Sequence, residues 1–395
     1  MNIDALLRSA VERDASDLHL KVGNHPFLRI HGVLEPLLEV ERLTKEDTLT
    51  AAFHIMNNLQ KERFKEKLDI DISYSVPGLG RFRCNIYNQR GSVGLALRTI
   101  SATIPSIREL NLPTVLEKVA MEQRGLVLVT GTTGSGKSTT LSSMIDFMNS
   151  HRVEHILTIE DPIEFLHRDK KSIVNQREIG SDCLSFANSL RSGLRQDPDI
   201  ILVGELRDQE TIETALAAAE TGHLVLSTLH TLDATETIHR IISVFPPHQQ
   251  QQIRFQLAAT LRAVISMRLL KRADRLGRVP AVEVLIATDM VRECIVIPEK
   301  TKSIHDAIEG GVSQYGMQSF DQSLFKLYEA GLISLEEATR GASNPNDFKL
   351  KVQGIQSTGD MARSEMESTM DRDYLAPNRE PAASASRFAF TGTDE

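Results

Sequence analysis

The spacing of apolar residues changes about a quarter of the way along the chain. After an amphipathic stretch from Ile3 to Arg13, apolar and polar positions alternate, as at Leu18, Leu20 and Val22. A period of two predicts half-buried strands, whereas the opening stretch predicts a helix. We therefore expect a small α+β domain, PAS-like in its mixture of elements, over residues 1–100, with strands around 70–74, 81–87 and 94–98 and a turn at 77–80.

After residue 113 the pattern becomes one of short continuous apolar runs separated by helical segments. Such runs predict strands of a parallel sheet that is buried on both faces. The fold class that follows is α/β, with a mostly parallel sheet over residues 114–349. The apolar runs are residues 125–130, 155–159, 200–203, 223–227 and 282–286, and the helical segments include 211–220, the long amphipathic stretch 249–270 and the region 300–339.

Two segments differ in composition from these domains. Residues 101–113 include Pro105 and Pro113, which favours a linker between the small domain and the larger one. Residues 350–395 are rich in Ser, Thr, Asp, Pro and Ala and poor in clustered apolar residues, so we expect a disordered tail there.

The apolar run 126–130 leads directly into the pattern GxxxxGK[ST], which occupies residues 131–138 and is called the P-loop below. A strand that ends in glycines turns its backbone N–H groups around phosphates, and the next helix adds its positive N-terminal end. The pattern predicts that Lys137 contacts the β and γ phosphates and that Ser138 holds Mg²⁺. The expected nucleotide-binding residues are Gly131, Thr133, Gly134, Ser135, Gly136, Lys137, Ser138 and Thr139.

Carboxylates follow two further apolar runs. Glu205 comes directly after the run 200–203 and fits the role of holding Mg²⁺ or its water shell, as in a Walker B motif. Glu160, Asp161 and Glu164 follow the run 155–159; we call residues 160–164 the acidic loop. Because parallel strands end at one edge of their sheet, we expect these carboxylates to face the γ-phosphate, where one of them orients the attacking water.

One histidine stands at the same predicted edge. His230 follows the run 223–227 closely, whereas His223 stands at the beginning of that run, where a structural role is expected. A histidine beyond the strand end is placed to sense the γ-phosphate or to relay its state to a neighbouring subunit. His230 is therefore a candidate catalytic residue.

Composition and charge indicate where the protein is located and which kinds of partner it binds. The chain has 395 residues, 41% of them hydrophobic and 25% charged, with a net charge of −8. No segment approaches the roughly 18 apolar residues of a membrane span, and no signal peptide is visible, so we expect a cytoplasmic protein without a transmembrane segment. The negative charge disfavours a motor that binds DNA directly. Cys84, Cys183 and Cys294 are too widely spaced for a zinc site.

Other P-loop classes lack their own motifs here. The nearest match to a guanine-reading [NT]KxD motif, at 44–47, lies upstream of the P-loop instead of downstream. No LSGGQ-like signature of transporters follows the P-loop, and an arginine-rich lid of a small-molecule kinase would have to be built from Arg191, Arg195 and Arg207. A DNA-transport motor and a non-hydrolysing regulatory protein stay open as alternatives.

Taken together and in order, the motifs resemble those of the secretion ATPases that power type IV pili and type II secretion. The resemblance covers residues 3–349, and no single motif would be specific enough alone. It rests on an N-terminal signature at 15–20, Walker A at 131–139, an Asp box at 157–165, Walker B at 197–208 and a His box at 221–231.

This resemblance implies a RecA-like core that hydrolyses ATP with Mg²⁺, works as a homohexamer and acts on an inner-membrane platform protein of the pilus machine from the cytoplasmic side. It also implies that ATP lies between the small domain and the core, that Glu164 polarises the attacking water with Glu160 and Asp161 in support, and that Glu205 holds the metal shell. Phosphoryl transfer needs positive charge on the developing oxyanions. The candidates for that charge are Arg81, Arg83 and Arg98 from the small domain and Arg195 and Arg207 from the core.

Within this family the chain resembles the pilus retraction branch. It opens directly on the small domain, residues 266–281 carry no tetracysteine insert, and 316–322 resembles the C-terminal pattern of that branch. One departure is that residues 289–296 keep only the arginine and the apolar pattern of the retraction signature. Retraction of type IV pili, as in twitching motility, is therefore the expected activity, with an accessory retraction paralogue and an assembly, secretion or DNA-transport motor as the alternatives.

Overall fold

The first of two sheets is built by the N-terminal quarter of the chain, as seen in a computed structural model that describes residues 2–100 and 103–353. The first helix is capped at its N-terminus, where the Asn2 side chain accepts a hydrogen bond from the Ala5 N–H. The elements are α1 Ile3–Glu12, β1 Ala15–Leu20, β2 Phe27–Ile30, β3 Val33–Pro36, α2 Lys45–Ile55, α3 Asn58–Lys67, β4 Asp69–Val76, β5 Gly80–Gln89 and β6 Ser92–Ile100.

These six strands form one sheet in the order β3-β2-β1-β6-β5-β4, and every neighbouring pair is antiparallel. The alternation seen in the sequence reappears as burial, because Leu18, Leu20, Phe82, Cys84 and Ile86 are all buried in one hydrophobic cluster. The expected small α+β domain is therefore present, with its strands close to the expected positions.

The rest of the chain builds a second sheet and the helices around it. The strands are β7 Gly125–Thr130, β8 His155–Glu160, β9 Ile173–Glu178, β10 Ile200–Val203, β11 Leu224–Leu229, β12 Leu261–Lys271 and β13 Arg278–Ile286. The helices are α4 Val115–Ala120, α5 Lys137–His151, α6 Phe186–Gly193, α7 Gln209–Glu220, α8 Ala234–Ser243, α9 Pro247–Thr260, α10 Asp289–Val296, α11 Ile304–Gly310, α12 Val312–Tyr315, α13 Phe320–Glu329, α14 Leu335–Gly341 and α15 Pro345–Val352, with 3₁₀ turns at Leu194–Gln196 and Pro298–Ser303.

The second sheet has the order β13-β12-β7-β11-β10-β8-β9. Strands β12 to β9 in that order run parallel to one another, and β13 pairs antiparallel with β12 at one edge. Apolar clusters lie on both faces, which is why the strand sequences are continuous apolar runs. The α/β class with a mostly parallel sheet is confirmed, with run 282–286 as the antiparallel exception.

The long amphipathic segment 249–270 corrects one expectation. Helix α9 ends at Thr260, and residues 261–271 form β12 instead of continuing as a helix. The reason is tertiary pairing, because Val264 and Ile265 lie beside Leu128 and Val129 of β7 at the centre of the sheet. Short apolar runs do not distinguish a buried strand from a buried helix by periodicity alone.

The segment 103–113, the described part of the expected linker, is anchored to the second domain. Ile107 and Leu112 are buried there with residues of the second sheet. At the other end, α15 extends to Val352, so the first residues of the expected tail are helical, and residues 354–395 lie outside the described residues. Within 2–100 and 103–353, no helix combines the length and the apolar character that a membrane crossing requires.

Candidate active site at the ends of the parallel strands

Four parallel strands of the second sheet end at one cavity of about 400 Å³, called the strand-end cavity below. The loops that follow β7, β8, β10 and β11, together with the first turns of α5, supply most of its wall, as the topology predicts for a parallel sheet. Its lining residues include Thr133, Gly134, Gly136, Lys137, Ser138, Thr139, Glu160, Asp161, Glu164, Glu205, Arg207, His230 and Arg278.

The P-loop has the backbone that its sequence requires. Gly131 and Gly136 have φ values of +138° and +101°, where side chains other than glycine are strained. A Cβ atom on Gly131 would also lie 2.5 Å from the Met267 carbonyl oxygen, so this position must lack a side chain. Gly131 and Ser135 are not among the lining residues, and the buried Ser135 hydroxyl has no hydrogen-bond partner.

Helix α5 begins at Lys137 and points its N-terminal end at the cavity. Its N-cap residue, Gly136, offers no side-chain hydrogen bond, so the first N–H groups stay open to an anion. The Lys137 Nζ donates to the carbonyl oxygens of Gly131 at 2.8 Å and Thr132 at 3.0 Å. Burial lowers the pKa of Lys137, and the carboxylates of Glu205 and Glu164 act in the opposite direction.

Glu205 lies at the centre of the charged groups in the cavity. Its carboxylate is 2.5 Å from the Arg207 Nε and 3.7 Å from the His230 Nε2. The proximity of His230 follows from topology, because β11 lies between β7 and β10. Burial and the charge of Lys137 lower the pKa of His230, and the attraction of Glu205 opposes this shift.

The acidic loop places its carboxylates in different surroundings. Glu160 accepts hydrogen bonds from the Thr158 Oγ1 at 2.7 Å and the Gln176 Nε2 at 3.1 Å. Burial raises the pKa of Glu160 despite these donors, and the nearby charge of Glu164 adds to the rise. Asp161 and Glu164 line the cavity beside it. The structure therefore brings all three expected carboxylates together, with Glu160 held most firmly by its neighbours.

The three arginines expected from the small domain lie elsewhere in the single chain. Arg81 forms an ion pair with Glu178 at 3.1 Å, and Arg98 forms one with Asp17 at 2.9 Å. Arg83 is exposed on β5 in register with Arg98. None of the three is among the residues that line the strand-end cavity, and those lining residues all come from the second domain. Within the described residues, the wall of this cavity is therefore formed by the second domain alone.

Of the two arginines expected from the core, one lines the cavity and the other does not. Arg207 lines the cavity, whereas Arg195 is exposed and donates to the carbonyl oxygen of Arg191 at 3.4 Å. Sequence reasoning missed Arg278, which reaches the cavity from the first position of β13, and Phe186, which lines it from α6. Neither residue belongs to a recognisable motif, so only the packing of β13 and α6 against the strand ends reveals them.

A second cavity of about 430 Å³ adjoins the first. It shares Gly136, Thr139, Leu269 and Arg278 with the strand-end cavity, and residues 109–112 of the expected linker form another part of its wall. Leu269 and Pro280 give it apolar surface, and Arg272 and Arg275 add positive charge. Such a mixed cavity beside a phosphate-binding loop suits the base and sugar of a nucleotide.

The donor groups fit a Mg²⁺ ion bound together with phosphates. Ser138 and Glu205 both line the cavity and offer a hydroxyl and a carboxylate oxygen, which are ligands that Mg²⁺ prefers. Among the residues that the structure describes, no cluster of three His, Cys, Asp or Glu side chains is arranged to hold a metal alone. Mg²⁺ commonly has only one or two protein ligands when substrate phosphates supply the rest.

Comparison with known proteins agrees with this site. Residues 1–343 match the model of a family described as type II/IV secretion system protein. The chain belongs to that family. The chain is similar to the type IV pilus retraction ATPase PilT of Pseudomonas aeruginosa, which is 46% identical over 88% of this chain and 100% of its own length. The type IV pilus ATPase PilU of the same organism is 39% identical over 91% of this chain and 94% of its own length.

A solved structure of the same family shows the same fold. The crystal structure of the pilus retraction motor PilT with bound ADP has a TM-score of 0.81 and 46% identity, and the match covers 88% of this chain and 98% of that one. The similarity to the secretion ATPases that the motifs indicated is therefore confirmed.

Proposed function

We propose that this protein is an ATPase motor that drives retraction of type IV pili. The observation that carries the proposal is the convergence of Lys137, Glu205, Glu164 and His230 on one cavity, in a chain that is 46% identical to a retraction ATPase over nearly its whole length. A protein that only binds nucleotide needs the P-loop, but it has no need of the acidic loop or the histidine beside it.

The proposed roles follow from position. Lys137 and the amides of the P-loop bind the phosphates, as expected for a helix N-terminus with a glycine N-cap. Ser138 and Glu205 would hold Mg²⁺, which supplies positive charge beside the β and γ phosphates when it is bound. The neighbouring second cavity would take the base and sugar, since it shares lining residues with the first.

Glu164 is the proposed residue that orients the attacking water. It lines the cavity and carries no hydrogen-bonded anchor of the kind that holds Glu160. Asp161 would support the same loop, and His230, which lies beside Glu205, would respond to the γ-phosphate. Positive charge on the developing oxyanions would come from Arg207 and Arg278 within the chain.

The proposed assembly is a homohexameric ring that acts at the cytoplasmic face of the inner membrane on a platform protein of the pilus machine. Motion would come from rotation of the small domain relative to a core as nucleotide binds and leaves. In such a ring Arg83 and Arg98 would supply positive charge to a neighbouring subunit's nucleotide, whereas Arg81 is paired with Glu178 of its own chain. The support for this part is family membership, together with the absence of these arginines from the cavity of their own chain.

The test is the amount of surface pilin in cells whose single copy of the gene carries Glu205→Gln. This change keeps the shape of the side chain and removes the charge that faces Lys137 and the metal site, so we expect excess unretracted pili and loss of surface movement. Purified Glu205→Gln protein should bind ATP and hydrolyse it at least about tenfold more slowly. Glu213→Gln, an exposed change on α7, is the matched control.

The other outcomes of that test identify other machines. Loss of pili would indicate an assembly motor, and unchanged pili would indicate an accessory paralogue, an alternative supported by the 39% identity to PilU over 94% of its length. Normal ATP hydrolysis by Glu205→Gln would contradict the assignment of that residue. Hydrolysis that persists in excess chelator would contradict the role proposed for Mg²⁺.

A further inference from the structure

Glu178 is a buried carboxylate to which two domains donate hydrogen bonds. It is the last residue of β9, and 7% of its side chain is exposed. Its Oε2 accepts from the Arg81 Nη2 at 3.1 Å, and its Oε1 accepts from the Ser73 Oγ at 2.5 Å. Ser73 and Arg81 belong to β4 and β5 of the small domain. Glu178 is therefore a polar joint between that domain and the core.

The same carboxylate also holds the acidic loop. The Oε2 that pairs with Arg81 accepts a hydrogen bond from the backbone N–H of Ile163 at 3.2 Å. Ile163 is buried and precedes Glu164, the residue proposed to orient water. One oxygen atom therefore connects the position of a small-domain arginine to the backbone of the loop that carries the catalytic carboxylates.

Gln176 provides an internal comparison on the same face of β9, two residues earlier. Its Nε2 donates to the Glu160 Oε1 at 3.1 Å and to the Phe165 carbonyl oxygen at 2.9 Å, and its Oε1 accepts from the His167 N–H at 2.8 Å. These partners all lie in the core. Among the described residues, Gln176 thus holds the acidic loop without a hydrogen bond to the small domain, whereas Glu178 holds the loop and is also hydrogen-bonded to that domain.

Movement of the small domain would change the environment of Glu178. If β4 and β5 withdrew, the carboxylate would lose the donors of Ser73 and Arg81 and keep only the Ile163 N–H from this set. A buried charge that loses its partner is strongly disfavoured, so it must move toward water or recruit new donors. Either response pulls on Ile163 and shifts the loop. Coupling between sites requires an element with two discrete arrangements. The structure shows the seated one, and withdrawal of the small domain would produce the other.

We propose that Glu178 is a positioning residue that makes the acidic loop, and with it the rate of ATP hydrolysis, depend on where the small domain stands. The inference rests on the ATPase activity proposed above. In this arrangement Arg81 acts on hydrolysis through Glu178 within its own chain. Hydrolysis is faster when Arg81 and Ser73 are seated on the carboxylate, because the loop is then fixed at both Gln176 and Glu178.

The experiment compares variants of the full chain in two measurements: steady-state hydrolysis of MgATP, and hydrogen exchange of the peptide that contains residues 161–167 without nucleotide. We expect Arg81→Ala to lower kcat about tenfold with KM changed less than about twofold, and to speed exchange of this peptide. Ser73→Ala, which keeps the ion pair, should give a smaller loss in the same direction. Arg63→Ala, an exposed change on α3, is the control and should alter neither measurement.

A double-variant comparison separates this role from direct contact between Arg81 and a phosphate. If Arg81 acts through Glu178, then adding Arg81→Ala to Glu178→Gln lowers kcat by less than about twofold beyond Glu178→Gln alone. An arginine that contacts the phosphate would instead impose its full loss on top. Reduced kcat in Arg81→Ala with wild-type exchange of 161–167 would overturn the proposal, as would full additivity of the two losses.

The proposal stays testable if Glu178→Gln does not fold, and its failure can be told apart from failure of the proposed function. Should Glu178→Gln fail to fold, the Arg81→Ala and Ser73→Ala variants still test the proposal, because both change only the small-domain side of the joint. Should the wild-type chain hydrolyse no ATP, the proposed function fails, but faster exchange of 161–167 in Arg81→Ala would still show that Glu178 connects the two domains. Unchanged exchange in both variants would contradict the connection itself.

Discussion

The two sheets of this protein distribute polar side chains in opposite ways. In the antiparallel sheet of the small domain, successive strands reverse direction, so their loops are divided between the two ends. In the parallel sheet of the core, β7, β8, β10 and β11 all end at one edge, and every end carries a residue of the strand-end cavity. Strand direction alone therefore concentrates the chemistry in the core.

The small domain takes part through strand faces instead of loops. Ser73 and Arg81 project from β4 and β5 onto Glu178, and Arg98 projects from β6 onto Asp17. Its hydrophobic cluster contains residues 3–97 only, whereas the clusters of the core contain residues from 107 onward. These separate clusters predict that the small domain and the core are packed independently and are joined by few polar contacts.

The largest expected effect tests whether the two units are separable. Phe82→Ala removes a fully buried ring from the small domain and should lower its free energy of unfolding by about 3–5 kcal/mol. Urea unfolding of the full chain should then show an earlier transition for the small domain. Binding of a fluorescent ADP analogue should persist, because all residues that line the strand-end cavity belong to the core.

Val33→Ser, an exposed change on the edge strand β3, serves as its control and should shift unfolding by less than about 0.5 kcal/mol. A single transition that moves as a whole in Phe82→Ala would show that the two units fold as one. Loss of ADP-analogue binding while the core stays folded would show that the small domain forms part of the binding site.

The next largest effect distinguishes the roles of two carboxylates in the acidic loop. Glu164→Gln should lower kcat for ATP about a hundredfold, because an amide cannot polarise the attacking water as a carboxylate does. Glu160→Gln is the matched change in the same loop and should cost less, since Glu160 is already held by Thr158 and Gln176. Steady-state kinetics measure both, and the reverse order of the two losses would exchange their roles.

The smallest effect concerns a carboxylate that the core buries away from the cavity. Glu283, on β13, is 3% exposed and accepts a hydrogen bond from the Ala234 N–H at 2.8 Å. Burial raises the pKa of Glu283 to about 7, above the ordinary value of 4.5. The folded state therefore holds this proton more tightly than the unfolded state does, and the contribution to stability falls as pH rises from about 4.5 to 7.

Glu283→Gln should remove that dependence. The stability of the variant relative to the wild type should rise by about 2 kcal/mol from pH 5 to pH 8, because the wild type loses stability over this range and the amide does not titrate. Urea unfolding at the two pH values measures it, with the exposed Glu213→Gln as the control. A stability difference that does not change with pH would mean that Glu283 titrates normally.

Strands that are buried on both faces could be predicted best from the sequence. The runs 125–130 and 200–203 coincide with β7 and β10, because a strand covered on both faces leaves a continuous apolar record. From these runs followed the common edge, and with it the meeting of Lys137, Glu164, Glu205 and His230. The assignment of His223 to the beginning of its strand also agrees, since β11 starts at Leu224.

Strand β9 could not be predicted in the same way. It is an edge strand paired only with β8, and its sequence, Ile173-Val174-Asn175-Gln176-Arg177-Glu178, is mainly polar. Gln176 and Glu178 contact the acidic loop, and Glu178 also contacts the small domain; no local sequence pattern indicates these contacts. The ion pairs of the small-domain arginines could not be predicted either, because their partners, Glu178 and Asp17, are distant from them in sequence.

The width of the strand-end cavity has a consequence for how the core responds to its ligand. Its lining residues come from positions at or beside β13, β12, β7, β11, β10 and β8, so a single nucleotide would touch nearly every strand of the seven-stranded sheet. A ligand that spans the sheet acts as a removable crosslink, because its binding free energy adds to the free energy of unfolding of the core. Each turnover would then tighten and release the core itself.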